Sequence, residues 1–163
     1  MPAIVTDTTP LNYLVLIQAA DILPKLYGTV LIPTAVKDEL THPNTPDEVR
    51  AWIGKPPSWL QIVGLQRPVD LSLLEFDAGE REAISLASEQ RPGFLLIDER
   101  DGAAAARRLG LTVTGTLGVL DLAATQELLD LPTMFDRLRQ TTFRLPLRLM
   151  AQILEQDAHR KEK

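Results

Sequence analysis

Two short apolar runs, each ending in an aspartate, organise this chain: Ala3-Ile4-Val5-Thr6 before Asp7, and Phe94-Leu95-Leu96-Ile97 before Asp98. Runs that are continuous rather than alternating mark strands buried on both faces of a parallel sheet. After the first run, Leu11, Leu14, Val15 and Ile17 switch to helical spacing up to about Ala20, with Thr8 or Thr9 as cap and Pro10 in the first turn. Asp21 to Leu26 predicts a second short helix interrupted by Pro24, and Gly28 marks a turn into a strand at Thr29 to Ile32. Pro33 opens a helix carrying Val36, Glu39 and Leu40. Thr45 and Glu48 have the spacing of a capping box for a helix from about Pro46 to Ile53. Trp59 to Val63 reads as a strand or an edge piece, and Gln66 to Ser72 as irregular.

The clearest βαβ unit follows. A helix beginning at Gly79 puts Ala83, Ile84, Leu86 and Ala87 on one side and is broken by Arg91-Pro92-Gly93. The Phe94–Ile97 strand comes next, then a helix from Ala103 to Leu109 closed by Gly110, then a strand at Leu111 to Thr114. Helices are predicted at Leu117 to about Leu129, at Pro132 to about Gln140, and from Pro146 through Leu149, Ile153 and Leu154. Strands alternating with helices define an α/β fold around a parallel sheet. No repeat or linker divides it, so one domain is expected over residues 1–157, with 158–163 as a charged tail that frays.

Composition narrows the chemistry. A chain of 163 residues with 45% hydrophobic and 24% charged positions suits a single globular core. It has no cysteine and only two histidines, His42 and His159, which excludes disulfides, thiolate metal sites and a multi-histidine zinc site. Chemistry must rest on carboxylates, hydroxyls or basic side chains. No apolar run reaches the roughly 18 residues of a membrane span. The opening MPAIVTDTTPL lacks the layout of a signal peptide, and with the missing cysteines this predicts a cytoplasmic protein. The net charge of −5 counts, on its own, against a nucleic-acid binder. An acidic cluster that holds cations, however, reverses the local field.

Asp7 and Asp98 each follow a strand directly. Parallel strands put their C-terminal ends on one edge, where open α/β sheets bind ligands. Two acids meeting there repel and raise each other's pKa unless a cation intervenes, and a hard divalent ion with oxygen ligands is the natural compensation. An acid in this position is equally an N-cap for the next helix, and position alone leaves both readings open.

The opening IVTDTTPLNYL resembles the first strand and Asp-Thr-Ser/Thr motif of PIN domains, and VLIPTAVKDEL resembles their next strand and glutamate-bearing helix. DAGEREAISLA is similar to the Gly-Glu-x-Glu-Ala-Ile helix of a PIN-like branch of the DUF3368 type. LLIDERDGAAAARRLGLTVTGTLGVL is similar to the strand, aspartate, arginine-bearing helix and Gly-Thr-Leu-Gly segment of that branch. Order and spacing agree over roughly Ile4 to Leu128. The resemblance implies a PIN-like three-layer α/β/α sandwich with a central parallel sheet, and a metal-dependent ribonuclease of the kind found as the toxin of toxin–antitoxin pairs. It places the acidic site on Asp7, Glu39, Glu80 and Asp98, with Mg²⁺ or Mn²⁺ as cofactor and Thr9 at the supporting hydroxyl position. RNA, an antitoxin protein and a second copy of the chain are the partners it implies. The third acid of the commoner toxin pattern is Asp. Glu80 stands there in this chain and reaches one methylene further.

Other side chains carry competing readings. Glu39 shares Lys37-Asp38-Glu39 with what a solvated helix face would also give, while its Val-x-x-Glu-Leu setting matches the family. Glu80 and Glu82 compete for one role, because positions two apart point about 200° apart around a helix. Glu80 at the helix start also favours the helix dipole. Asp101 is a further candidate ligand or a cap. Arg100, Arg107 and Arg108 are candidate phosphate contacts or solvated side chains, and Arg137, Arg139, Arg144 and Arg148 form a second basic stretch. Trp52 and Trp59 flank a Pro-rich loop and suit core packing better than base stacking. Chemistry on this site would be phosphodiester hydrolysis. Metal held by Asp7, Glu39 and Asp98 would polarise the phosphate, and a water oriented by Glu80 or Asp98 would attack in line. The rivals are a non-catalytic PIN-like binding module and a small carboxylate-dependent phosphatase. Asp7 lacks the second aspartate two residues on that the common aspartyl-nucleophile pattern needs.

Overall fold

A computed structural model describes residues 3–162, so the first two residues of the expected domain and the last residue of the expected tail lie outside it. Five strands, β1 (Ile4–Thr6), β2 (Val30–Pro33), β3 (Leu60–Val63), β4 (Phe94–Leu96) and β5 (Thr112–Thr114), form one parallel sheet in the order β3-β2-β1-β4-β5. Every residue of β1 and β2 is buried, which is why their sequences run apolar without alternating. β3 is one of the two edge strands, with Gln61 and Ile62 exposed.

Around the sheet lie α1 (Thr8–Leu16), α2 (Ile22–Tyr27), α3 (Thr34–Leu40), α4 (Asp47–Gly54), α5 (Ala78–Ser88), α6 (Arg100–Arg108), α7 (Thr116–Thr125), α8 (Leu131–Arg139) and α9 (Leu147–Lys161). α5 lies across β1, β2 and β4, and its Ala83, Ile84, Leu86 and Ala87 are fully buried, the face that the periodicity predicts. Gly110 has φ of +84°, the left-handed conformation of a residue just past a helix end. The chain builds outward from β1 through β2 to β3, then returns to place β4 on the other side of β1. Strand order therefore reverses between β1 and β4, the place where an open α/β sheet leaves a crevice at its C-terminal edge.

Several local expectations are corrected. The capping box at Thr45 and Glu48 does not form. α4 starts after Pro46 without a side-chain cap, and the Thr45 hydroxyl instead donates to the Glu39 carbonyl at 2.8 Å. That carbonyl belongs to the last turn of α3, where orphan acceptors compete for any nearby donor. α6 begins at Arg100, earlier than its apolar spacing suggests, because Glu99 caps it by accepting from the amides of Asp101 at 3.0 Å and Gly102 at 2.5 Å. α7 ends at Thr125 rather than near Leu129, with Glu127 at φ +58° in the turn that follows. Within the irregular Gln66–Ser72 stretch, Asp70 caps a 3₁₀ turn at Leu71–Leu73.

Residues 158–161 of the expected charged tail are helical. α9 runs to Lys161, and its last turn is held by Asp157, only 2% exposed, which pairs with Arg160 at 3.2 Å and Lys161 at 3.0 Å. Arg160 also reaches Asp121 on α7, at 3.2 Å, which accounts for an acid inside that apolar helix. Truncation after Asp157 is expected to destabilise the protein by about 1.5–3 kcal/mol, the contribution of a charge-assisted bond to a buried group. A thermal melt equal to that of the full chain would count against this anchoring. Among the described residues, no helix is long and apolar enough to cross a membrane.

Candidate active site at the carboxyl edge of the sheet

Asp7 sits where β1 and β4 part. Its amide donates to the Leu96 carbonyl at 2.9 Å, one step beyond the last pair of that ladder, Thr6 opposite Leu96. The side chain is 3% exposed and does not cap α1. Burial is the main force raising its pKa, which is pushed up to about 7; the Thr8 amide pulls it down, and Glu80, Glu39 and Asp77 push it further up. Asp98, just beyond β4, does not cap the next helix either, since Glu99 does that. Instead its Oδ1 accepts from the Thr116 amide at 2.8 Å and its Oδ2 from the Thr116 hydroxyl at 2.6 Å, so it is bound to the start of α7. Burial raises its pKa against the pull of those two bonds.

Glu39 comes in from the last turn of α3. The Thr8 hydroxyl donates to its Oε1 at 3.1 Å, and the nearby Gly79 amide at the start of α5 also favours its charged form. Burial and then Asp77 raise its pKa, while the Thr8 bond and the Gly79 amide lower it. Asp77 is the N-cap of α5, accepting from the Glu80 amide at 2.9 Å. Glu80, in the first turn, is pushed up to about 7 by burial first, then by Asp77, Glu99, Glu39 and Asp101. Glu82 takes a separate place: its Oε1 accepts from the Ala35 amide at 3.2 Å, an otherwise uncapped donor at the start of α3. The helical offset thus sends Glu80 toward Asp7 and Glu82 toward α3.

Two clefts share the walls Glu80 and Glu99. One, of about 500 Å³, is walled by Glu75, Asp77 and Asp101 beside those two, with Arg108 as its basic member. The other, of about 660 Å³, runs past Asp98, Thr9, Arg100 and Arg144. Asp101 is therefore grouped with Glu80 on the acidic side and does not cap α6. Thr9 is exposed on the wall of the larger cleft, while the hydroxyl that holds an acid belongs to Thr8. Arg100 is a wall of that cleft; Arg107, exposed in the last turn of α6, is a wall of neither. Arg137 donates to the Ile17 carbonyl at 3.1 Å and Arg139 pairs with Asp136 at 2.7 Å, so both are structural. Trp52 and Trp59 pack together with ring centroids 5.8 Å apart, half-buried against the core.

Thr8, Asp77 and Thr116 are the members that the sequence reading missed. Asp77 carried a signal, the Asp-x-x-Glu spacing before an apolar helix. The pairing of Thr116 with Asp98 links residues 18 positions apart through a strand, and no local pattern announces it.

Every donor here is a carboxylate oxygen, the set that suits Mg²⁺ or Mn²⁺. The charges acting on Asp7, Glu39 and Glu80 are those of other carboxylates, a field that a divalent cation relieves. By donor chemistry the residues fit such an ion. By position they stand apart: among the described residues, no three acids are gathered tightly enough to grip one.

A parallel α/β sheet with carboxylates collected where its strand order reverses defines a class of acidic-site domains. The DUF3368 family of PIN domains matches residues 3–159, and the chain belongs to it. PIN domains are generally nucleases and typically use divalent metals. A PilT N-terminus domain protein from the hyperthermophilic archaeon Sulfolobus solfataricus P2 shares the fold, with a TM-score of 0.53 at 16% identity over 76% of this chain and 93% of that one. No curated protein matches the sequence.

Proposed function

We propose that this protein is a divalent-metal-dependent endoribonuclease that hydrolyses RNA phosphodiester bonds. The observation that carries it is the placement of Asp7 and Asp98 at the ends of β1 and β4, where strand order reverses, with Glu39 and Glu80 close enough to Asp7 to raise its pKa. Asp7, Glu39 and Asp98 would hold the ion, with Asp101 a further ligand beyond Glu80. A bound Mg²⁺ or Mn²⁺ supplies positive charge to the phosphate and makes water more acidic. Glu80 accepts the proton of the attacking water at a carboxylate oxygen. Thr116 fixes the Asp98 rotamer through both oxygens, and Thr8, with the Gly79 amide nearby, holds Glu39. Thr9 and Arg100 contact the substrate strand from the cleft wall. The resemblance to toxin-type PIN proteins supports a role as the toxin of a toxin–antitoxin pair, with an antitoxin protein as partner.

A second reading is a non-catalytic binding module on the same fold, favoured by the separation of the acids. The two part on one assay. Wild type and Asp98→Asn are incubated with a pool of structured and single-stranded RNA, with Mg²⁺, with Mn²⁺ and with EDTA. Cleavage that needs the ion and falls by about 10²-fold or more in the variant is expected for loss of one charge-stabilising group. A folded wild type that leaves the pool intact in both metals points to the binding module.

A further inference from the structure

The larger cleft has walls that acid chemistry alone does not require. Tyr13 of α1 and Phe143 of the α8–α9 loop meet edge to face, with centroids 5.1 Å apart and planes at 76°, and both are half-buried walls of the cleft. The Tyr13 and Thr142 hydroxyls lie 2.8 Å apart, which ties that loop to α1. Arg100 and Arg144 stand on the same walls, exposed, and neither forms an ion pair among the described residues. Asp98 and Glu80 line the same cleft.

We infer that this cleft holds the nucleotide next to the scissile phosphate of a single-stranded RNA, its base against Tyr13 and Phe143 and its phosphate at Arg144 and Arg100. The inference rests on the nuclease reading for the identity of the strand. Aromatic rings that share a cleft with guanidinium groups match a nucleotide, whose base stacks on a ring face and whose backbone is anionic. An acidic peptide would satisfy the arginines and leave the aromatic pair without a flat partner. A duplex keeps its bases stacked and out of reach of a recessed aromatic wall, so single strands, loops and ends are the substrates this groove accepts. The acids Asp98 and Glu80 line the same groove, so a strand laid in it passes a phosphate beside them.

Fluorescence anisotropy of a labelled oligouridine and of a blunt RNA duplex tests this, with Asp7→Asn as the parent so that nothing is cleaved. Phe143→Leu keeps apolar packing against Tyr13 and removes the aromatic face, and it is expected to weaken oligouridine binding about ten-fold, in the range of one lost base stack. Phe143→Trp is expected to bind like the parent. Arg144→Ala is expected to lower the slope of log affinity against log salt by about 0.7, one phosphate contact on a single strand. The duplex is expected to bind weakly and equally to all. Oligouridine binding unchanged by Phe143→Leu in a protein that melts like the parent overturns the inference. So does duplex binding as tight as the single strand's, or tighter binding of a labelled oligoglutamate, which would assign the groove to a protein partner. These readouts do not depend on turnover. If they hold while wild type cleaves no RNA, the groove stands and the nuclease reading falls. If wild type cleaves but Phe143→Leu binds normally, the reverse follows.

Discussion

Asp7→Asn is expected to melt about 4–8 °C higher than wild type at pH 8 in the absence of divalent ions, while losing RNA cleavage. The direction follows from linkage. The folded-state pKa of Asp7, about 7, lies above its ordinary value of 3.8. Below that ordinary value both states are protonated and the shift has no effect on stability. As pH rises toward 7 the unfolded chain ionises first, so folding is progressively penalised, and above 7 the penalty is complete. The full shift sets a ceiling of about 4 kcal/mol. Burial is the larger part of that shift, with repulsion from Glu80, Glu39 and Asp77 added to it, and a buried amide in the same place carries a desolvation cost of its own, which leaves about 2 kcal/mol to be recovered at this one position. A domain of this size gains about 2–4 °C per kcal/mol.

The same experiment carries two internal controls. The gap between the two proteins is expected to close as pH falls toward 4, because wild type becomes more stable as its buried carboxyls take up protons. Glu80, Glu39 and Asp98, all raised, act with the same sign. Millimolar Mg²⁺ is expected to raise the melting temperature of wild type at pH 8, since an ion that binds only the folded state stabilises it by mass action. It is expected to leave Asp7→Asn nearly unmoved. Equal melting temperatures at pH 8, or a gap that widens toward low pH, would remove the repulsive cluster from the picture.

That cluster was partly legible in the chain. Asp7 and Asp98 could be placed on one edge because each ends an apolar run, and parallel strands align their ends; the pairing of Thr6 with Leu96 realises this. Gly110 and the apolar face of α5 were equally open to local rules. Glu39 and Glu80 needed the family resemblance, since a glutamate on a half-exposed helix looks the same whether it faces a site or water. Failures came where the partner lies in another element of the fold. Thr45 turned from its own helix to a carbonyl of α3, Glu82 capped a helix 47 residues away, and Thr116 bound the acid of another strand. Arg160 likewise ties a terminus that composition alone marks as loose to Asp121 of α7. Local patterns report what a residue offers; which distant donor or acceptor accepts the offer is decided by packing.

Gly79→Ala is expected to leave the fold nearly intact and to reduce metal-dependent cleavage about 10–100-fold, the usual cost of disturbing a residue that positions a ligand. A Cβ at this position would lie 1.9 Å from Oε2 of Glu39, an overlap no pair of atoms sustains. The atom in the way is the end of a flexible side chain, so the carboxylate swings out rather than the backbone yielding. Ala also suits the first turn of α5 better than Gly does. Loss of position at Glu39 takes it from the Gly79 amide, breaks its bond to Thr8 and frees the Thr8 hydroxyl. Melting temperature and cleavage rate therefore move independently, which separates displacement of Glu39 from general damage. If the bound ion depends on Glu39, the Mg²⁺-induced gain in melting temperature shrinks in Gly79→Ala as it does in Glu39→Gln. A Gly79→Ala protein with wild-type cleavage and a full Mg²⁺ response would show that Glu39 works from elsewhere or not at all, and the site would reduce to Asp7, Glu80 and Asp98.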